Sequence, residues 1–227
     1  KMITKDDVQY LSNHLSFYNK LETSEKKEIE NFAFATEYKK GTKLYGGKKE
    51  CLGLVLVKEG QLRAFITSDE GREITLYRLL SLDICIFSAS CNIKNMNFDI
   101  NIEAEKDSKV FVIPTDCFNR LNEKNIYVKN FSLELISARF SDVMWVFDQY
   151  VFSSVAKRLA CFLEDNSNIE NTDTLNITHE FIANDIGTAR EVVTRLLNHF
   201  AKDGVISLSR GTIKIKNRKA LLKLCEN

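Results

Sequence analysis

Long apolar runs are missing from this 227-residue chain, and with them any stretch that would span a bilayer. The opening KMITKDDVQY has no apolar segment of the secretory-signal type, so a cytoplasmic location with no membrane partner is expected. No C-x-x-C pair occurs among the six cysteines, which suits reduced thiols better than a disulfide framework. Proline is nearly absent, with Pro114 the single case, and there are only three histidines. G-x-S-x-G, P-loop, H-E-x-x-H and dinucleotide fingerprints are all lacking, so nothing points to an enzyme.

Charge is nearly balanced, at a formal +1. Its distribution is not. Residues 178–227 hold nine Lys/Arg against five Asp/Glu, a net +4, and the remaining chain is net −3. A basic excess on the C-terminal part is what neutralisation of phosphates would require.

That part contains THEFIANDIGTAREVVTRLLNHF, residues 178–200. Thr178 is placed to cap a helix whose apolar side holds Phe181, Ile182 and Ile186. Gly187 ends it, being tolerant of the left-handed backbone a sharp turn needs. Thr188-x-x-Glu191 has the form of a capping box opening a second helix. Val193, Leu196, Leu197 and Phe200 follow the spacing of a buried stripe. The opposite side carries Arg190, Glu191, Thr194, Arg195 and Asn198, side-chain types that read base edges in a major groove. The pattern is a helix-turn-helix. Asp203-Gly204 then turns the chain into VISLS and TIKIK, two strands joined at Arg210-Gly211 as a wing, before a short helix over about 219–224.

Upstream, residues 5–30 read as short helices. From about Thr36 to Pro114 glycines punctuate short runs such as CLGLVLVKEG, QLRAFITS, REITLYRL and KVFVIP. FDINIEAE alternates strictly, with Phe98, Ile100, Ile102 and Ala104 on one face. Roughly eight strands at this spacing predict a β-roll or jelly roll. A long helix without Gly or Pro follows over about 126–152. One seam runs through Val128, Phe131, Leu135 and Trp145, a second through Ile136, Phe140, Val143, Phe147 and Val151. That is more apolar surface than packing on one domain requires. It predicts either a buried core helix or a helix that also pairs with its twin in a homodimer. Residues 153–165 continue as helix, and SNIENTDTLN reads as a polar entry to the last domain.

A β-roll, a long helix and a C-terminal winged helix-turn-helix, in that order, resemble the Crp/Fnr superfamily of bacterial transcription regulators. The resemblance covers nearly the whole chain. Its most specific piece is Arg190-Glu191-Val192-Val193-Thr194-Arg195, supported by the following LLNHFAKDGVISLSRGTIKIKN. It implies an α+β chain with a cyclic-nucleotide-binding-like β-roll over 1–123, a dimerisation helix over 124–152 and a winged helix-turn-helix over 153–227. It also implies a homodimer on palindromic promoter double-stranded DNA, with RNA polymerase as a partner if the protein activates.

On that reading an arginine at 190 can donate two parallel hydrogen bonds to guanine, and Glu191 can accept from cytosine. Arg195 can reach a base or a phosphate. Thr178, His179, Thr188 and Ala189 lie at helix N-termini, where phosphates are met, and Arg210 lies in the wing. Plainer roles stand beside these: Glu191 as the capping partner of Thr188 or the ion-pair partner of Arg195, and Arg190 as a solvated surface residue. A second overall reading is a sensor or scaffold whose winged helix binds protein.

The sensing half departs from the best-known family pattern. Cyclic-nucleotide-binding members hold the phosphate with a Gly-Glu pair and a following Arg. Here those places fall on about Ile86-Phe87 and near Phe98-Asp99, and no arginine lies between Arg78 and Arg120. Cyclic AMP or GMP in the usual clamp is therefore not expected. The first cysteine is Cys51, so the N-terminal cysteine group of the iron–sulfur branch is missing. A cluster on Cys51, Cys85, Cys91 and Cys117 stays open without being favoured, because Cys85 and Cys117 also read as small buried residues. Cys91, in the polar SASCNIKN loop, is the better reactive thiol. His14 is the only histidine outside the C-terminal domain, which argues against haem. The effector stays unknown, with Phe87, Phe98, Cys85 and Cys91 as its candidate residues.

Overall fold

The structure, a computed structural model, describes residues 3–46, 52–86 and 100–226. The chain forms two units, one of Lys1–Ile66 with Leu76–Val143 and one of Thr67–Thr75 with Met144–Asn227.

In the first unit, helix α1 (Lys5–His14) opens on a capping box. The Thr4 hydroxyl accepts from the Asp7 amide and the Asp7 carboxylate accepts from the Thr4 amide. The Thr4 amide, with other partners, holds the Asp7 carboxyl below the usual carboxylate range. A short 3₁₀ turn and α2 (Thr23–Phe32) follow. The strands are β1 (Phe34–Tyr38), β2 (Lys43–Gly46), β3 (Gly53–Glu59), β4 (Leu62–Thr67), β5 (Glu73–Leu79), β6 (Ile84–Cys85), β7 (Asn101–Ala104) and β8 (Ser108–Pro114). Among the described residues they form two four-stranded sheets, ordered β1-β8-β3-β6 and β2-β7-β4-β5. This is the expected β-roll.

The alternation read from the sequence has a physical outcome: Ile100, Ile102 and Ala104 are all buried. β3 has no alternation because it is central and covered on both faces, and Gly53 through Val57 are buried without a break. Gly53 is required at its place. Its φ is +120°, and a Cβ there would lie 2.8 Å from the Pro114 carbonyl carbon. α3 (Thr115–Lys124) and the first part of α4 (Ile126–Phe152) close the unit. Leu11, Phe17, Phe111, Phe118, Val128 and Phe131 share one core, so the N-terminal helices and the start of α4 seal one side of the roll. Each such large side chain contributes about 1.5–3 kcal/mol through burial.

The two apolar lines of α4 fare differently. Val128 and Phe131 are buried, and Leu135 and Ile136 are partly so. Farther along, Phe140, Trp145, Phe147 and Val151 are 63%, 58%, 57% and 52% exposed. The core-helix reading therefore holds for the first third of α4, and the rest has apolar surface to spare.

The second unit begins with the end of α4. Arg158 donates to the Ser153 carbonyl at 2.9 Å and to the Gln149 carbonyl at 3.5 Å, while its guanidinium lies 4.5 Å from the Tyr150 ring centroid. α5 (Val155–Glu170) is capped by Ser154. It runs a turn farther than the polar SNIENTDTLN suggests, because Arg218 binds Glu164 at 2.8 and 3.0 Å and also bonds Asn168. Helix stops only at Asn171, which takes the left-handed conformation. Then come β9 (Thr174–Leu175), α6 (His179–Ile186), α7 (Arg190–Lys202), β10 (Ile206–Ser209), β11 (Thr212–Ile215) and α8 (Arg218–Glu226). The wing is a three-stranded sheet, β10-β11-β9, with β9 a strand that the sequence did not announce. Leu159, Leu163, Ile182, Val193, Leu197 and Phe200 form its core with the helices.

Reduced thiols throughout is not what the structure holds. Cys161 on α5 and Cys225 on α8 are joined as a disulfide across 64 residues of sequence. The two helices pack together and bring the Cα atoms to 5.0 Å, within the span of a bridge. Cys85 and Cys117 are both buried.

Candidate nucleic-acid interface

Helix α6 starts where a hydroxyl is available: the Thr178 Oγ1 accepts from the Phe181 amide at 3.1 Å. It ends at Gly187, φ +62°, whose amide bonds the Ala183 carbonyl. The Thr188 amide bonds the same carbonyl at 2.9 Å. This tight exit uses Thr188 as part of the turn, so the Thr188–Glu191 capping box does not form. The N-cap of α7 is Ala189, which has no hydroxyl and makes no side-chain cap. The first-turn amides of α7 are thus left without a capping side chain, at the positive end of a 13-residue helix.

Val193, Leu197 and Phe200 are buried, and that fixes the rotation of α7. The opposite face must then be polar and outward. Arg190, Glu191, Thr194, Arg195 and Asn198 line one shallow surface groove. Arg190, Glu191, Arg195 and Asn198 are all exposed, and among the described residues their side chains make no hydrogen bond or ion pair. Glu191 and Arg195 therefore do not pair with each other. Thr194 is different. Its hydroxyl lies 3.0 Å from the Arg190 carbonyl and 2.8 Å from Nδ1 of His179.

A second hollow joins the other expected residues. Thr178, His179 and Arg190 line it together with Ser209 and Gly211 of the wing turn and with Thr212. Arg210 stands exposed between those two wing residues. Arg210 and Gly211 are the wing turn expected from the sequence, whereas Ser209 and Thr212 carry no signal there for this hollow. Thr212 is further fixed by donating to Asn176 Oδ1 at 3.1 Å, which ties the hairpin to the entry of α6.

The sensing-side candidates are less gathered. Phe87, Cys91 and Phe98 lie outside the described residues, as does Cys51. Cys85 is buried on β6. Burial pushes the Cys117 thiol up to about 11, which opposes the thiolate a metal needs. Among the described residues no group of three or more His, Cys, Asp or Glu is placed to hold a metal. What the β-roll does contain, unannounced by its sequence, is paired buried charge. Arg63, 4% exposed, reaches Glu103 at 3.3 Å, and Arg78 grips Glu105 at 2.8 and 3.1 Å. Among the described residues no helix is long and apolar enough to cross a membrane.

Comparison with known proteins covers both units. Residues 157–224 match the Crp-like helix-turn-helix domain, and residues 35–125 match the cyclic nucleotide-binding domain. The chain is 26% identical over 196 residues to the fumarate and nitrate reduction regulatory protein of Yersinia pestis, covering 83% of this chain and 77% of that one. A crystal structure of a transcriptional regulator of the Crp/Fnr family from Eubacterium rectale is 45% identical, with a TM-score of 0.93, over 95% of this chain and 100% of that one. The c-di-GMP responsive global regulator of Xanthomonas campestris shares the fold at 15% identity and a TM-score of 0.70, over 86% of this chain and 99% of that one.

Proposed function

Because the chain belongs to the Crp/Fnr family of transcription regulators, we propose that it works as a homodimer on palindromic promoter DNA, reading each half-site with α7. The observation that carries this reading is the outward face of α7. Four of its five polar side chains are exposed and committed to no partner within the described chain, which is the state a base-reading surface must be in before DNA arrives. Arg190 is the residue for guanine, Glu191 for cytosine, and Arg195 and Asn198 for bases or phosphates farther along. Thr178, His179, Thr188, Ala189 and Arg210 border the same surface, where amides and cations meet phosphate oxygens. A protein-binding winged helix would have no need of so many uncommitted base-reading groups.

The apolar outer part of α4 supports the dimer. Phe140, Phe147 and Val151 are exposed on one helix, and a second copy is the partner that covers such a line symmetrically. Half-sites about one DNA turn apart, ~34 Å, would suit two recognition helices. The β-roll of residues 1–123 is the sensing part. Its match is to a cyclic nucleotide-binding domain, but the Gly-Glu and Arg places fall on about Ile86-Phe87 and near Phe98-Asp99, so its signal is something other than a clamped cyclic nucleotide. RNA polymerase is the further partner if the protein activates. DNA as the target places the protein in the cytoplasm.

The test is retention of duplex DNA from the region upstream of its own gene by the purified chain at low salt. Binding of that duplex in preference to a scrambled one is expected. A chain that binds neither would remove the reading.

A further inference from the structure

The hydroxyl of Thr194 is not free to choose how it meets DNA. A threonine hydroxyl has one proton to donate and two lone pairs. Thr194 Oγ1 lies 3.0 Å from the Arg190 carbonyl, the bond a threonine makes back to residue i−4 of its own helix. A carbonyl can only accept, so the proton goes there. His179 Nδ1 is 2.8 Å from the same oxygen. With the Thr194 proton on Arg190, the tautomer that completes both bonds is the one in which His179 Nδ1 donates. One lone pair is left on Thr194, in the groove lined by Arg190, Glu191, Arg195 and Asn198.

We propose that His179 and Thr194 form one reading unit, in which His179 fixes Thr194 as a hydrogen-bond acceptor so that α7 selects an exocyclic amino group at one position of each half-site. This rests on α7 reading the major groove. In that groove the amino donors are adenine N6 and cytosine N4, whereas guanine N7 and O6 and thymine O4 only accept. The base facing Thr194 is therefore adenine or cytosine. His179 is a positioning residue here: it sits on α6, 15 residues away, and acts through the Thr194 hydroxyl.

The experiment is selection of binding sites from a randomised duplex library at low salt, using the full chain and the variants T194V, H179A and H179N. T194V keeps the size and a methyl group but loses the hydroxyl. H179N carries an amide donor near the place of Nδ1. The wild type is expected to select a two-fold symmetric site in which one position per half-site is adenine or cytosine. T194V should lose that preference alone, by about tenfold or more. H179A should admit guanine or thymine there, because without the His179 N–H to hold its lone pair the hydroxyl can leave the Arg190 carbonyl, turn and donate, and H179N should restore the restriction. In the selected site, exchange of that base for its analogue lacking the exocyclic amino group should weaken the wild type and leave T194V unchanged. A T194V selection identical to that of the wild type would overturn the proposal, as would guanine at the Thr194 position. Failure of the wild type to enrich any sequence would instead count against DNA reading by α7 as a whole.

Discussion

Tyr150 occupies the space into which a side chain on Gly187 would project. A Cβ on Gly187 would lie 2.6 Å from Cε1 of Tyr150 and closer still to its hydroxyl. The last turn of α4 therefore rests on the turn of the helix-turn-helix, and the Arg158 guanidinium lies 4.5 Å from the centroid of the same ring. Gly187 is held to glycine twice, by φ +62° and by this contact. G187A should cost about 2–4 kcal/mol of stability in chemical denaturation, combining left-handed strain with overlap. Y150A should remove the overlap share only, so the double variant should be more stable than the sum of the two changes implies. Strict additivity would mean that the ring and the turn do not press on each other.

The exposed stretch of α4 predicts the assembly. F140D places a charge in the apolar line with little effect on the buried Val128–Phe131 end. It should give monomers in analytical ultracentrifugation and lose tight binding to a symmetric site while keeping its circular dichroism. A dimeric F140D would move the interface elsewhere.

The disulfide predicts a reductant-dependent stability. Closing a loop across 64 residues of sequence stabilises a fold by about 4 kcal/mol in the chain-entropy description. Reduction, or C161S, should lower the denaturation midpoint of the second unit. Peptide mapping without reduction should recover residues 161 and 225 in one linked species. Separate peptides carrying free thiols would contradict the bridge.

Cys117 predicts an alkaline limit. Its thiol is raised by burial from an ordinary value of 9.0 to about 11. Between those values the unfolded chain has lost the proton and the folded chain has kept it, so stability present below pH 9 is lost as pH rises toward 11. C117A should show a shallower loss over that window. Equal slopes for the two proteins would show that Cys117 titrates normally.

How far the sequence could be read follows from where each signal resides. The helix-turn-helix was legible because its determinants are local: Thr178 caps, Gly187 turns, and Val193, Leu197 and Phe200 repeat at helical spacing. The strands of the roll were legible through glycines and through the alternation at Ile100, Ile102 and Ala104. Features that depend on distant partners were not. α5 runs through polar residues to Glu170, where the distant Arg218 meets Glu164 and Asn168. Cys161 and Cys225 carry no spacing signature, since packing of α5 on α8 is what joins them. Thr188 and Glu191 had the letters of a capping box, but the tight exit from Gly187 shifted the helix start by one residue to Ala189. The His179–Thr194 bond links two helices, and single-residue reading could list both side chains without seeing that they are one unit.

The most direct test of the central claim is the affinity of the wild type and R190A for the selected duplex and for a scrambled duplex, each measured across a range of salt. Wild-type affinity should fall steeply and linearly in logarithmic terms as salt rises, and the selected duplex should be preferred throughout. R190A should lose about 1–3 kcal/mol on the selected duplex, relax one position per half-site, and change little on the scrambled one. Equal losses on both duplexes would make Arg190 a phosphate contact. Salt-independent affinity, or no preference between the duplexes, would contradict sequence reading by α7.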